Sequence, residues 1–285
     1  MGTAAVDTSR KLGVVAGGGA LPSLVINEAR KQGREVFVLA LEHFVDLDLI
    51  PDGVDYDIVP LGAAAKLIGS LRNAGVQDVV MAGRVKRPGL RELKPDFKAL
   101  AILTKASIRG LGDDGLLSAV RKEIEAEGFR LIGVPDVMPD ILAGQGLLAG
   151  AQPDEQAMHD IRRGVAVLNA ISQVDVGQAV TVQQGIVLAI EAVEGTDAMI
   201  ARAGELRREG IGGVLVKLVK EQQDRSLDLP TIGLETVQKV AEAGLRGIAV
   251  SAGSCQIIDT DAVYSAVKQH NLFLIGIDPA SMVAP

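Results

Sequence analysis

Short aliphatic runs alternate with amphipathic segments along almost the whole chain, and this alternation restricts the fold more than any other feature. The run Leu-Gly-Val-Val-Ala at 12–16 opens the series. An amphipathic stretch at 21–32 follows, stops at Gly33, and gives way to a second aliphatic run at 35–41. Segment 63–73, closed by Gly75, reads as a second helix and 78–82 as a third strand. Segments 97–108 and 116–127 read as helices and 130–134 as a strand. Strands covered on both faces appear as near-continuous Val/Ile/Leu runs, and strands alternating with helices build parallel sheets. The spacing predicts an α/β protein whose first half is a Rossmann-like parallel sheet with helices on both faces. With 285 residues, 48% of them apolar, the chain can bury a large core and divides into about two domains. Five Phe, two Tyr and no Trp make that core aliphatic.

The segment 143–153, Ala-Gly-Gln-Gly-Leu-Leu-Ala-Gly-Ala-Gln-Pro, is rich in glycine and ends in proline. It reads as a linker between a domain at 1–142 and a second α/β domain at 154–285. Asp154 is placed to cap a helix running to about residue 173. Strands are expected at 179–183, 186–193, 214–219, 247–250 and 273–277, with helices at 196–208, 234–243 and 261–270.

Several functions are disfavoured at once. A net charge of −7 argues against a broad nucleic-acid surface, and so few aromatic residues give no platform for stacking bases. Cys255 is the single cysteine, so no internal disulfide forms, consistent with a reducing compartment. No apolar run approaches the roughly 18 residues of a membrane span, and residues 1–10 do not read as a signal peptide. A cytoplasmic location is expected. The chain lacks a P-loop, an H-E-x-x-H helix, a C-x-x-C pair and a G-x-S-x-G elbow. His43, His159 and His270 are scattered and read as structural or exposed.

Five clusters remain. Ala16-Gly17-Gly18-Gly19-Ala-Leu-Pro22 follows the first strand, where backbone N–H groups would approach a phosphate at a helix N-terminus. Glu42 stands where a dinucleotide fold places its ribose-binding acid, but Pro22 occupies the place of the third fingerprint glycine. Arg84, Lys86 and Arg87 form a basic group after another strand; a solvated loop would look the same. Asp113 and Asp114 precede a helix and read as caps. Glu191, Glu194 and Asp197 sit at or just after a long apolar run. They suit a hard cation such as Mg²⁺ or Mn²⁺, while Thr196 or Asp197 would equally cap the next helix. Last comes 217–230, Lys-Leu-Val-Lys-Glu-Gln-Gln-Asp-Arg-Ser-Leu-Asp-Leu-Pro, on the end of the run Gly-Gly-Val-Leu-Val. Lysines and an arginine meet phosphate, and aspartates meet a metal; local ion pairs on a solvated turn are the plainer reading.

Taken together, these segments resemble the LpxI family, the UDP-2,3-diacylglucosamine pyrophosphatases of lipid A biosynthesis. The resemblance runs from the glycine turn to residue 277 and is carried also by Gly83-Arg-Val-Lys-Arg-Pro, Gly112-Asp-Asp, Asp175-Val-Gly-Gln, Glu191-Ala-Val-Glu-Gly-Thr-Asp and Thr231-Ile-Gly. It implies magnesium-dependent hydrolysis of UDP-2,3-diacylglucosamine to UMP and 2,3-diacylglucosamine 1-phosphate (lipid X), with water attacking phosphorus. It also implies two α/β domains with the active site in the cleft between them, a homodimer, and peripheral contact with the inner membrane at its cytoplasmic face. The family's critical aspartate maps onto Asp224. Asp224, Asp228 and Glu191 are then expected as metal ligands, with Asp224, Lys217 and Asp228 catalytic. Gly17, Gly18, Gly19, Arg84, Lys86, Lys220, Gln223, Arg225 and Thr196 are expected to bind substrate. Glu221 stands where the family has proline, and Ser226 where it has arginine, so Arg225 lies one position before the family's arginine. Two rivals stay open: an NAD(P)-dependent oxidoreductase, resting on the first βαβ unit and Glu42, and a non-catalytic carrier of a nucleotide-sugar lipid.

Overall fold

The aliphatic runs of the first half become neighbours in one parallel sheet. The structure is a computed structural model and describes residues 7–85, 95–107, 113–220 and 229–282. The chain forms two units, Met1–Pro139 and Asp140–Pro285.

In the first unit β1 (Leu12–Ala16) lies at the centre between β2 (Val36–Leu41) and β4 (Asp78–Ala82). β3 (Asp55–Val59) and β5 (Arg130–Ile132) form the edges, giving the order β3-β2-β1-β4-β5 with every pair parallel. All five residues of β1 are buried, as a strand covered on both faces requires. The order reverses between β1 and β4, and in such sheets ligands bind beyond the carboxyl ends of the strands at that point. At the opposite end, where β4 begins, Asp78 is fully buried beneath Arg10, Arg34 and Arg130. β3 has the sequence Asp-Tyr-Asp-Ile-Val and is exposed over four of its five residues; no aliphatic run announces it.

The second unit holds a mixed sheet. Its order is β6-β13-β11-β9-β7-β8. β9 (Val214–Lys217), β11 (Gly247–Ser251) and β13 (Phe273–Ile277) run parallel in the middle. β7 (Ala179–Gln183) and β8 (Ile186–Ile190) form a hairpin, with β7 antiparallel to β9. The two residues between those strands are too few for a helical crossover, so the pair must be antiparallel. β10 (Thr231–Ile232) and β12 (Gln256–Ile257) form a small parallel pair.

The linker expected at 143–153 is corrected: β6 (Gly146–Gly150) lies inside it, antiparallel to β13. Gly150 there serves close backbone approach. A Cβ on Gly150, where φ is +80°, would fall 1.9 Å from the Leu272 carbonyl oxygen. Asp154 does cap the helix Glu155–Ser172, accepting from the Ala157 N–H at 2.8 Å.

Alternation along the central strands fills a core on each face of the second sheet. Leu215, Ile248, Val250 and Leu274 pack to one side; Val214, Val216, Ala249 and Ile275 pack to the other, under the helix Glu155–Ser172. No helix among the described residues is long and apolar enough to cross a membrane.

Candidate functional site

In the first unit, the turn after β1 meets the turn after β4. The Gly18 N–H donates to the Arg84 carbonyl at 2.9 Å and the Arg84 N–H returns to the Gly18 carbonyl at 2.8 Å. The Gly17 N–H donates to the Ala82 carbonyl at 2.8 Å. Two of the three amides expected to face a phosphate are therefore spent on backbone carbonyls. The glycines have another use, since a Cβ on Gly17 would stand 2.8 Å from the Arg84 carbonyl oxygen and one on Gly18 2.9 Å from that of Phe44. Gly19, at φ +89° with open space around it, is free of that constraint. The Arg84 side chain is exposed, and Lys86 lies outside the described residues.

Gly83 is the tightest point of this contact: φ is +97°, and a Cβ would lie 2.8 Å from Gly17 C and Gly18 O. Gly83→Ala is expected to lower the stability of the first unit by more than about 1 kcal/mol, read by urea denaturation. An unchanged midpoint would mean that the turns separate without cost.

In the second unit, three of the expected site residues come together at the carboxyl end of β9. Lys217, the last residue of that strand, is only 6% exposed. Its ammonium donates to Thr196 Oγ1 and to the Thr231 carbonyl, both at 3.0 Å. The Thr196 hydroxyl in turn donates to Glu191 Oε1 at 2.6 Å. Glu191, itself 7% exposed, accepts the Gln178 N–H on Oε2 at 3.0 Å. A lysine and a glutamate, each buried, are thus joined through one hydroxyl, which meets the rule that buried charges need partners.

The cap expected from Thr196 or Asp197 is corrected. Gly195, at φ +81°, is the cap residue of the helix Thr196–Glu205 and no side chain caps it. Thr196 is turned instead to Glu191, and Asp197 pairs with Lys239 at 2.7 Å. Glu194 pairs with Arg202 at 2.5 Å.

The chain around this network is fixed by backbone bonds. Leu218 N–H donates to the Gln178 carbonyl at 2.9 Å and Val219 N–H to Ser251 Oγ at 3.1 Å. Lys220 forms an ion pair with Asp175. Asp224, Asp228, Gln223 and Arg225 lie outside the described residues. The segment that carries them begins four residues after Lys217 and ends three before Thr231, and those two anchors share a hydrogen bond. Cys255 is wholly buried; burial pushes its thiol up to about 12 against the opposing charge of Lys217, so it is an inert apolar filler.

Sequence reasoning missed the Thr231 carbonyl, the Gln178 N–H and Asp175. Backbone groups leave no signature in residue type. Asp175 did carry one, since it opens the Asp175-Val-Gly-Gln segment that bears the family resemblance, but nothing in the sequence tied it to Lys220.

For magnesium, the described residues fall short. No group of three His, Cys, Asp or Glu side chains among them is placed to hold a metal. Glu191, the one expected ligand that is described, already has both oxygens engaged by hydrogen-bond donors. These residues alone do not fit a magnesium ion.

Two α/β units, the first a Rossmann-like parallel sheet and the second a mixed sheet carrying a buried lysine and a buried glutamate bridged by the Thr196 hydroxyl, define the class. Within it, the LpxI N-terminal domain profile matches residues 11–141 and the LpxI C-terminal domain profile residues 144–275. A Caulobacter vibrioides protein named UDP-2,3-diacylglucosamine pyrophosphatase LpxI is 40% identical over 279 residues, spanning 95% of this chain and 98% of the relative. The chain belongs to the LpxI family. Among solved structures, the Bordetella bronchiseptica enzyme WbmG in complex with NAD and UDP aligns over 96% of this chain and 87% of its own, at 13% identity and TM-score 0.38. CobK precorrin-6A reductase aligns over 94% and 88%, at 13% identity and TM-score 0.33. Neither likeness is near enough to bear on fold or function.

Proposed function

We propose that this chain hydrolyses the pyrophosphate bond of UDP-2,3-diacylglucosamine to UMP and lipid X, in lipid A biosynthesis. The observation that carries this reading is identity of 40% to the pyrophosphatase relative across 95% of the chain. The chemistry of the second unit supports it. Breaking a P–O bond moves negative charge onto phosphate oxygens, and fixed positive charge in a water-poor site stabilises that shift. Lys217, buried at a strand end with two of its three N–H donors committed, is such a charge. Lys220 is the second phosphate contact in this reading.

The reaction is proposed to require Mg²⁺, with Mn²⁺ as its substitute, and Asp224 and Asp228 as ligands. When bound, the ion would neutralise pyrophosphate charge. Asp224 is assigned to hold the attacking water or the ion. A homodimer and peripheral membrane contact belong to the same proposal.

The test is UMP release from UDP-2,3-diacylglucosamine by wild type and Asp224→Ala, with Mg²⁺ or with EDTA. Metal-dependent release that the substitution abolishes is the expected result. No release by folded wild type would favour a carrier, and full release by Asp224→Ala would move the site elsewhere.

A further inference from the structure

We propose that Glu191 and Thr196 are positioning residues for Lys217, and that Glu191 is the fixed counter-charge of that lysine rather than a metal ligand. This rests on the hydrolytic reading above and reassigns two residues within it.

An ammonium has three N–H donors. Those of Lys217 go to Thr196 Oγ1 and the Thr231 carbonyl, and the third has no partner among the described residues. A lysine stem is flexible, and a point charge on it is useful only where something fixes its direction. Two acceptors on different elements do so here. Thr196 opens a helix and Thr231 opens β10, so the ammonium is held between them with one donor left for a substrate oxygen.

Thr196 can accept from Lys217 only while its own proton goes elsewhere. Glu191 Oε1 takes that proton at 2.6 Å, which sets the hydroxyl's direction. Glu191 is in turn fixed by the Gln178 N–H and by its own N–H, which donates to the Ala179 carbonyl at 2.9 Å. Gly177 permits this approach: a Cβ there would sit 2.0 Å from the Glu191 carbonyl oxygen. The chain of contacts is therefore closed from backbone to ammonium.

The same contacts oppose a metal on Glu191. Mg²⁺ demands near-octahedral oxygen ligands and usually keeps several waters. A carboxylate that is 7% exposed and already accepts two donors has little room for that shell. Taking Oε1 for a metal would also displace the Thr196 proton and loosen Lys217. The other acids of the cluster are paired with cations, Glu194 with Arg202 and Asp197 with Lys239.

The experiment uses the full chain and the variants Thr196→Val, Thr196→Ser and Glu191→Gln. UMP release is followed against substrate and Mg²⁺ concentration. In parallel, acylation of Lys217 by acetic anhydride at fixed pH is followed by peptide mass spectrometry. Thr196→Val is expected to lower kcat by on the order of 100-fold, the cost of misplacing a reacting group by about 1 Å, with a smaller change in KM. Thr196→Ser keeps the hydroxyl and restores most of the rate. Glu191→Gln lowers kcat without raising the Mg²⁺ needed for half-maximal rate. Both Thr196→Val and Glu191→Gln label Lys217 faster than wild type does.

A raised Mg²⁺ requirement in Glu191→Gln would overturn the proposal and return Glu191 to the metal. Unchanged Lys217 labelling in Thr196→Val and Glu191→Gln would overturn it from the other side. Should Thr196→Val not fold, Glu191→Gln carries both readouts alone. Should wild type release no UMP, the hydrolytic reading fails, while the labelling still reports whether these residues hold the lysine.

Discussion

Asp78→Ala is expected to destabilise the first unit by about 3–5 kcal/mol, the usual cost of breaking a buried ion pair from one side. Asp78 is fully buried and holds three guanidinium groups. Arg10 Nε donates to Oδ1 at 2.8 Å, Arg130 donates to both oxygens at 2.9 and 2.7 Å, and Arg34 donates to Oδ2. Arg10 and Arg130 can turn to solvent, being about a third and nearly half exposed. Arg34 cannot, since its side chain is 1% exposed, and alanine would leave its charge buried alone. Hydrogen exchange of β1 and β4 is the readout specific to this unit; protection equal to wild type would show that Arg34 finds water.

The pH dependence follows with a definite sign. Burial works to raise the Asp78 carboxyl, and the hydrogen bonds from Arg130 and Arg10 with the charge of Arg34 outweigh it, so the group is held below its ordinary value. A depressed folded-state value means stability that is present above the unfolded value, about 3.9, and is lost as pH falls through the folded one. Asp78→Asn is therefore expected to lie well below wild type at neutral pH and to approach it as the pH drops below about 4.

This cluster shows why part of the molecule could not be read in advance. β1, β2 and β4 were legible because strands buried on both faces must be aliphatic runs, whatever packs on them. β3 and β6 were not. The first is an exposed edge with aspartates at two of five positions, and the second is rich in glycine. Glycine marks a turn or a close backbone approach with the same letter, and only the neighbour at Leu272 decides which it is at Gly150. The candidate site divides similarly. Lys217 and Glu191 drew notice because charge at the ends of apolar runs demands partners. That they share one hydroxyl, 21 residues before the lysine, follows from how β8 and β9 come to lie on either side of β7. At Gly17 and Gly18 the amides are consumed by the end of β4 and the turn after it, which no local spacing announces.

Lys217→Met is expected to remove both activity and part of the stability of the second unit, and the two losses separate. Loss of one preorganised positive donor at a developing phosphate charge costs about 10²–10³ in kcat/KM. Methionine fills the space of the buried stem, so the stability loss comes from what is left unpaired. The Thr196 hydroxyl loses a donor and the Glu191 carboxylate loses its counter-charge at 7% exposure. Breaking such a pair from one side costs up to about 3–5 kcal/mol. Adding Glu191→Gln removes the stranded charge, and the double variant is expected to be more stable than the sum of the single losses by roughly 0.5–3 kcal/mol. It will not regain hydrolysis, since the lysine itself is gone. Urea denaturation of the four proteins, with UMP release measured on each, completes the cycle. Strictly additive stability losses would mean that Thr196 screens the two charges from one another, and that Lys217 and Glu191 are neighbours without being a pair.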